Sequence, residues 1–175
     1  MVTVQDGDGA LLRPPELEYV MTVSLDMTPG SLRRLEGVPG GGDRWSINVA
    51  GGRFEGPGMR GRVLPGGIEN PRLRPDGTLM INARWLLEEE DGTVIYVRNR
   101  GIRRAYDPAR MTAWMTRSEP VRASDFYFRV VPTFEVASPR FHWLTENIFV
   151  GRLEDPLDSG PPVGQGPTMT YFRVC

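Results

Sequence analysis

Three side chains of this 175-residue chain stand where proton-transfer chemistry could use them: Glu69, Glu135 and His142. Glu69 follows the Gly66-Gly67 turn, and a carboxylate at a strand end can face the mouth of a barrel, although the outer surface is the ordinary place for a glutamate. His142 is the single histidine and lies between Phe141 and Trp143, where apolar rings can shift an imidazole into a working range or simply pack against it. Glu135 shares a strand face with Arg129, Tyr127 and Thr133, so a carboxylate and a guanidinium could line one wall. A positioned carboxyl or imidazole of this kind moves protons as a general acid or base.

Arg84, Arg98, Arg129 and Arg173 fall within expected strands, and a guanidinium turned inward needs a carboxylate or a ligand as partner. Arg84 or Arg129, with Asn99, would then stabilise a developing enolate or alkoxide, while Tyr96 and Trp143 form an apolar wall. The outer face is the competing place for at least half of these arginines.

Composition removes other chemistries. All 21 basic residues are arginine, so a lysine Schiff base, a P-loop lysine and an internal pyridoxal aldimine are excluded. One histidine and one cysteine, Cys175, cannot build a four-ligand thiolate or imidazole zinc site, and any metal would rest mostly on carboxylates. No metal and no cofactor is expected. A net charge of −1 without a single-sign block argues against a nucleic-acid partner. No signal-like or membrane-spanning apolar run is present, which gives the expectation of a cytoplasmic protein with no membrane partner. No serine stands in a nucleophile-elbow context, so serine hydrolysis is disfavoured.

These residues have to be positioned by strands. Alternating or apolar runs bounded by Gly, Pro or Asp recur at 17–25, 44–49, 53–56, 59–64, 78–88, 93–101, 125–136, 142–152 and 168–174. Gly 21 and Pro 16, together about a fifth of the chain, supply the corners between them. The pattern predicts one all-β domain over residues 1–175: a closed or nearly closed antiparallel β-barrel of about 8–10 strands with one short helix and a flexible segment at 1–14. Asp91-Gly92 predicts a hairpin between 78–88 and 93–101. Asp107 as N-cap, Pro108 at the first helical position, and Met111, Trp114 and Met115 on one face predict the helix, which would cover one barrel end. Residues 31–36 suggest a shorter helical turn, and 153–167 a Gly- and Pro-rich loop. Gly56-Pro57-Gly58-Met59-Arg60-Gly61 matches a dinucleotide fingerprint but opens no helix, so it is read as a hairpin corner. The run Glu88-Glu89-Glu90-Asp91 is read as a solvated hairpin tip.

Three segments in order resemble the DUF3237 (UPF0311) family of small β-barrel proteins. They are Gly51-Gly52-Arg53-Phe54-Glu55-Gly56-Pro57 running into Gly61-Arg62-Val63-Leu64-Pro65-Gly66-Gly67; then Asp91-Gly92-Thr93-Val94-Ile95-Tyr96-Val97 with Asn99 and Gly101; then Tyr127-Phe128-Arg129, Pro132, Phe134-Glu135, Trp143-Leu144 and Phe149-Val150-Gly151. The resemblance spans most of 17–174 and implies a closed antiparallel barrel with a ligand cavity at one mouth, without implying a reaction. The chain departs from the family pattern at Glu69, where members usually carry Asp followed by an aromatic, and at Thr145, where Trp-Leu-Asn is usual. If these positions line the cavity, Thr145 joins the substrate contacts and the ligand differs from the typical member's.

The function expected from these residues is a cofactor-independent enzyme that isomerises, cyclises, eliminates or hydrates a hydrophobic, carbonyl-bearing small molecule. The alternative is a non-catalytic barrel that binds or carries such a molecule. A third reading, an assembly partner using free strand edges, requires an open sheet. A homo-oligomer is compatible with each of these readings.

Overall fold

A computed structural model describes residues 4–5, 11–155 and 164–175. Its strands are β1 (Val4–Gln5), β2 (Leu11–Leu12), β3 (Leu17–Met27), β4 (Arg33–Leu35), β5 (Asp43–Gly56), β6 (Met59–Val63), β7 (Gly67–Glu69), β8 (Arg72–Leu73), β9 (Leu79–Glu89), β10 (Val94–Ala105), β11 (Phe126–Val136), β12 (Phe149–Leu153) and β13 (Gln165–Val174). The expected barrel is present and closed. The wall runs β3, β5, the short strands β6, β7 and β8 in one position, then β9, β10, β11, β12 and β13 back to β3, eight positions with every neighbour antiparallel. Among the described residues no helix is long and apolar enough to cross a membrane.

Alternation decides which side chains fill the interior. In β11 the even-numbered residues Phe126, Phe128, Val130, Pro132 and Phe134 are buried and the odd-numbered ones are exposed. In β10 the buried set is Ile95, Val97, Asn99, Arg103 and Ala105. The β9–β10 hairpin forms as expected, with Gly92 at φ 84° and its N–H donating to Glu89 O at 2.8 Å. At its tip three of the four acids are solvated as expected, in ion pairs Arg62–Glu88 (2.6 Å), Arg60–Glu90 (2.8 Å) and Arg140–Asp91 (3.0 Å), but Glu89 is buried, accepting from Asp91 N at 2.8 Å with Arg140 3.5 Å away, because its parity on β9 turns it inward.

The two barrel ends are closed differently. At one, helix α1 (Pro108–Thr116) follows β10, and the Asp107 side chain accepts from Ala109 N at 2.9 Å, as the cap sequence predicts. It packs Met111, Ala113 and Trp114 with Trp45, Leu79, Ala105 and Phe126. At the other, a 3-10 turn (Pro139–Phe141) and the single-turn α2 (Trp143–Glu146) insert Phe141 and Leu144 beneath Phe134 and Phe149, whose rings meet edge to face at 5.1 Å.

Three local expectations need correction. Residues 142–152 are not one strand, because Phe141 and Leu144 reach the core from a helical turn, and pairing begins only at Phe149. Residues 31–36 form no helix. Such a run is too short to overcome the cost of nucleation, and β4 instead pairs Arg33 with Ser46 on β5. The runs 44–49 and 53–56 are one strand, β5. Within the expected flexible segment at 1–14, β1 and β2 pair with each other, and residues 1–3 and 6–10 lie outside those described, as do 156–163 of the expected loop.

One wall seam is thin. β11 and β12 pair at Val130 and Gly151 alone, whereas β10 and β11 pair over eleven residues from Ile95–Val136 to Ala105–Phe126. Beside that seam, Gly101 on β10 lies against β11 so closely that an added Cβ would stand 2.1 Å from Arg129 O and 2.7 Å from Val130 Cα. Backbone cannot yield as a flexible side chain does, so Gly101→Ala is expected to destabilise the barrel by about 1–3 kcal/mol, read as a lower urea midpoint.

Candidate functional site

A cavity lies between the α1-end cluster and the main core. It has room for about three or four waters and is open on one side, where the exposed Gln165 borders it, so a larger ligand would extend outward from it. Trp45 and Ile47 of β5, Leu79 and Ile81 of β9, Trp114 of α1, and Met169 of β13 make most of its lining apolar. Two charged side chains interrupt that lining, Glu69 and Arg103.

Glu69 is brought inward by the three-residue strand β7. β7 follows the Pro65-Gly66 turn and pairs Glu69 with Ile47 on one side and Ala83 on the other, both core residues, so Glu69 shares their inward face. Pro71 then ends the run: its carbonyl accepts from Trp45 N at 2.9 Å, and Asn70 N donates to Asn82 O at 2.8 Å. Glu69 stays half-buried because it borders the cavity. Burial pushes its carboxyl up to about 7, and the Arg103 charge opposes that rise.

Arg103 is 5 % exposed. Its guanidinium carbon lies 3.8 Å from the Trp114 ring centroid and 4.0 Å from that of Phe126, so an aromatic ring on α1 and another on β11 hold it. Its Nε and Nη2 meet no hydrogen-bond partner. Burial lowers its pKa to about 9, partly countered by Glu69, which leaves it charged at neutral pH. Deeper in the barrel, Asn99 Nδ2 and the Tyr171 hydroxyl both donate to Met169 Sδ, at 3.5 and 3.4 Å. Burial, and then the Glu69 charge, raise the Tyr171 pKa, so its phenol remains protonated.

Of the residues expected to form a site, the interior therefore holds Glu69 and Asn99. The others lie elsewhere. Arg84, Arg98, Arg129 and Glu135 are exposed on the outer face, and Tyr96 is half-buried there opposite Leu86. In each strand the apolar set of the opposite parity has taken the interior. His142 and Thr145 are exposed at the α2 end: His142 Nε2 lies 3.2 Å from Ala137 O, and Thr145 Oγ1 donates to His142 O at 2.8 Å. Trp143 packs on Phe149 at 5.9 Å and Arg173 is half-buried beside it, so neither reaches the cavity. The charged cavity residue missed from the sequence is Arg103. The strand expected to stop at Gly101 continues to Ala105, and the parity of Ile95, Val97 and Asn99 carried four residues further points Arg103 inward. Among the described residues, no three of His, Cys, Asp and Glu gather as a metal-ligand set.

The Glu69 shift carries a consequence for stability. In the unfolded chain the carboxyl ionises near 4.5 and in the fold near 7, so between those values the native state holds a proton that the unfolded state has lost. Stability contributed at this site is present below about pH 4.5, falls as pH rises to about 7, and is level above. Glu69→Gln removes that slope. Its urea stability relative to the parent is expected to rise by roughly 2–3 kcal/mol between pH 4.5 and 7.5.

The architecture and the site together define a closed eight-position antiparallel barrel with an internal cavity carrying one carboxyl and one guanidinium. This chain belongs to the DUF3237 family, described as a protein of unknown function, whose model matches residues 15–160. A UPF0311 protein of Rhodopseudomonas palustris is 36% identical over 139 residues, covering 78% of this chain and 86% of its own length. One from Clostridium acetobutylicum is 38% identical over 109 residues, 62% of this chain and 68% of its own. The crystal structure of a conserved protein of unknown function from R. palustris superposes with a TM-score of 0.81 at 30% identity, covering 94% of this chain and all of that one. The fold also matches a structure described as an enzyme from Penicillium herquei, TM-score 0.67 at 19% identity, over 95% of this chain and 99% of that one, a likeness of fold alone.

Proposed function

We propose that the barrel is an acid/base catalyst acting on a hydrophobic, carbonyl-bearing small molecule, isomerising it, cyclising it, or adding or removing water. One observation carries this reading: a carboxyl and a guanidinium with two unmet nitrogens border the same largely apolar cavity. A carboxyl that titrates near 7 supplies both forms of the catalyst at neutral pH. As carboxylate, Glu69 takes a proton from the carbon beside the carbonyl. The electron pair moves onto the carbonyl oxygen, where the Arg103 N–H groups stabilise the developing enolate. As carboxylic acid, Glu69 returns the proton to another carbon, completing an isomerisation, or to a departing hydroxyl, completing an elimination. The roles expected of Glu135 and His142 pass to Glu69 alone, and those of Arg84 and Arg129 pass to Arg103.

A carrier would also need an apolar cavity and could use the cation to seat an anion, but a carboxyl that ionises near neutral pH adds nothing to holding such a ligand. The two readings separate on incubation with aryl ketones such as 2-tetralone in D2O. Deuterium gained at the carbon beside the carbonyl above the buffer rate, or a product of new mass, supports catalysis. Ligand bound and recovered unchanged from every member of such a panel sinks it.

A further inference from the structure

The polar inventory of the cavity is one-sided. Trp45 and Arg103 both border it, are 1 % and 5 % exposed, and leave three buried nitrogens without a partner: Trp45 Nε1, Arg103 Nε and Arg103 Nη2. An indole and a guanidinium can only donate. The one charged acceptor at the cavity, Glu69, makes no ion pair with Arg103 within 4.0 Å, although each charge shifts the other's titration. A buried donor left unmet costs about 1–3 kcal/mol, more for a charged one, so the site is arranged for something that accepts.

From this donor excess we infer that the ligand presents a planar pair of oxygens sharing one negative charge, a carboxylate or the enolate of a 1,3-dicarbonyl, on a flat apolar frame. The oxygens meet Arg103 and Trp45, and the frame lies among Ile47, Leu79 and Ile81. The guanidinium fork suits two coplanar oxygens, and the rings of Trp114 and Phe126 fix its plane before the ligand arrives. An anion seated there is opposed by an ionised Glu69. The other titratable groups that bear on Glu69 are Arg103 from β10 and Tyr171 from β13; the β5 and β9 residues paired with it, Ile47 and Ala83, are apolar, and the acids of the same parity, Asp43 and the buried Glu89, stand at the strand ends. Anion binding is therefore tied to protonation of Glu69. This inference rests on the proposed site but concerns binding, so it can fail while turnover at Glu69 stands.

The test is calorimetric titration of the protein with 2-naphthoate, with benzoylacetone, and with neutral methyl 2-naphthoate. At pH 6 one or both acidic probes are expected to bind at least about tenfold more tightly than the ester, and which of them binds separates carboxylate from enolate. Arg103→Met is expected to abolish that preference and Trp45→Phe to weaken acid binding about threefold. Naphthoate stays ionised throughout, so its affinity should fall about tenfold between pH 6 and 8 as Glu69 ionises, and Glu69→Gln should flatten that fall. An ester that binds as well as the acids, an Arg103→Met protein with undiminished preference, or no binding of either acid overturns the inference.

Discussion

Glu69→Gln is expected to lower the rate of proton exchange or product formation by about 10²- to 10⁴-fold, the span that a positioned acid or base contributes. The substitution keeps the side chain's shape and its inward place between Ile47 and Ala83, and removes only the exchangeable acid. The fold should survive it, since the parent carboxyl is itself neutral over much of the relevant pH range. In the parent, the rate below pH 7 should rise with pH as the carboxylate forms. His142→Ala serves as the contrast: an exposed imidazole at the far barrel end should leave turnover where it was. Equal rates for Glu69→Gln and the parent would remove Glu69 from the chemistry.

Arg103→Met should cost about 10²- to 10³-fold in turnover, as the loss of a donor to a developing oxyanion does elsewhere. Its stability should move the other way. Methionine approximates the arginine stem, and replacing a buried cation that has unmet N–H groups by an apolar side chain is often neutral or stabilising. The stacking on Trp114 and Phe126 is lost, which limits the gain. A thermal midpoint that holds or rises while turnover collapses marks Arg103 as kept for the ligand. A midpoint that drops by many degrees would instead mark it as a structural member of the α1-end core.

The barrel was legible in the sequence because period-two alternation and Gly- or Pro-marked corners state both the strands and their ends. Helix α1 was legible for the same local reason: Asp107 and Pro108 write its start. The candidate site was legible only in part. Glu69 could be found because a turn fixes the start of β7, but facing inward also depends on pairing with Ile47 and Ala83, residues more than a dozen positions away. Arg103 was hidden by Gly101, which reads as a strand end yet sits inside a twelve-residue strand because β11 lies too near for any side chain. His142 misled because aromatic neighbours in sequence are not neighbours in space: Phe141 points into the core from its turn while His142 points out. Single-residue chemistry is written locally, whereas orientation is written in the partner strand.

The departure from the family pattern at Glu69 gains meaning from its position on the cavity wall. A glutamate carries its carboxyl one methylene further than the usual aspartate. Thr145, the other departure, lies at the α2 end and has no such reach.

The thin seam bears on how anything arrives. Both barrel ends are plugged, and parting most of the wall would break long hydrogen-bonded ladders. Between β11 and β12 a single residue pair holds, and just beyond it Phe128 and Leu153 border the cavity on one side and a shallow depression on the molecular surface on the other. These two apolar side chains are shared by the cavity and the depression. A rotamer change in either would widen the space between them at the expense of packing alone, with the barrel's hydrogen-bonded hoop left intact.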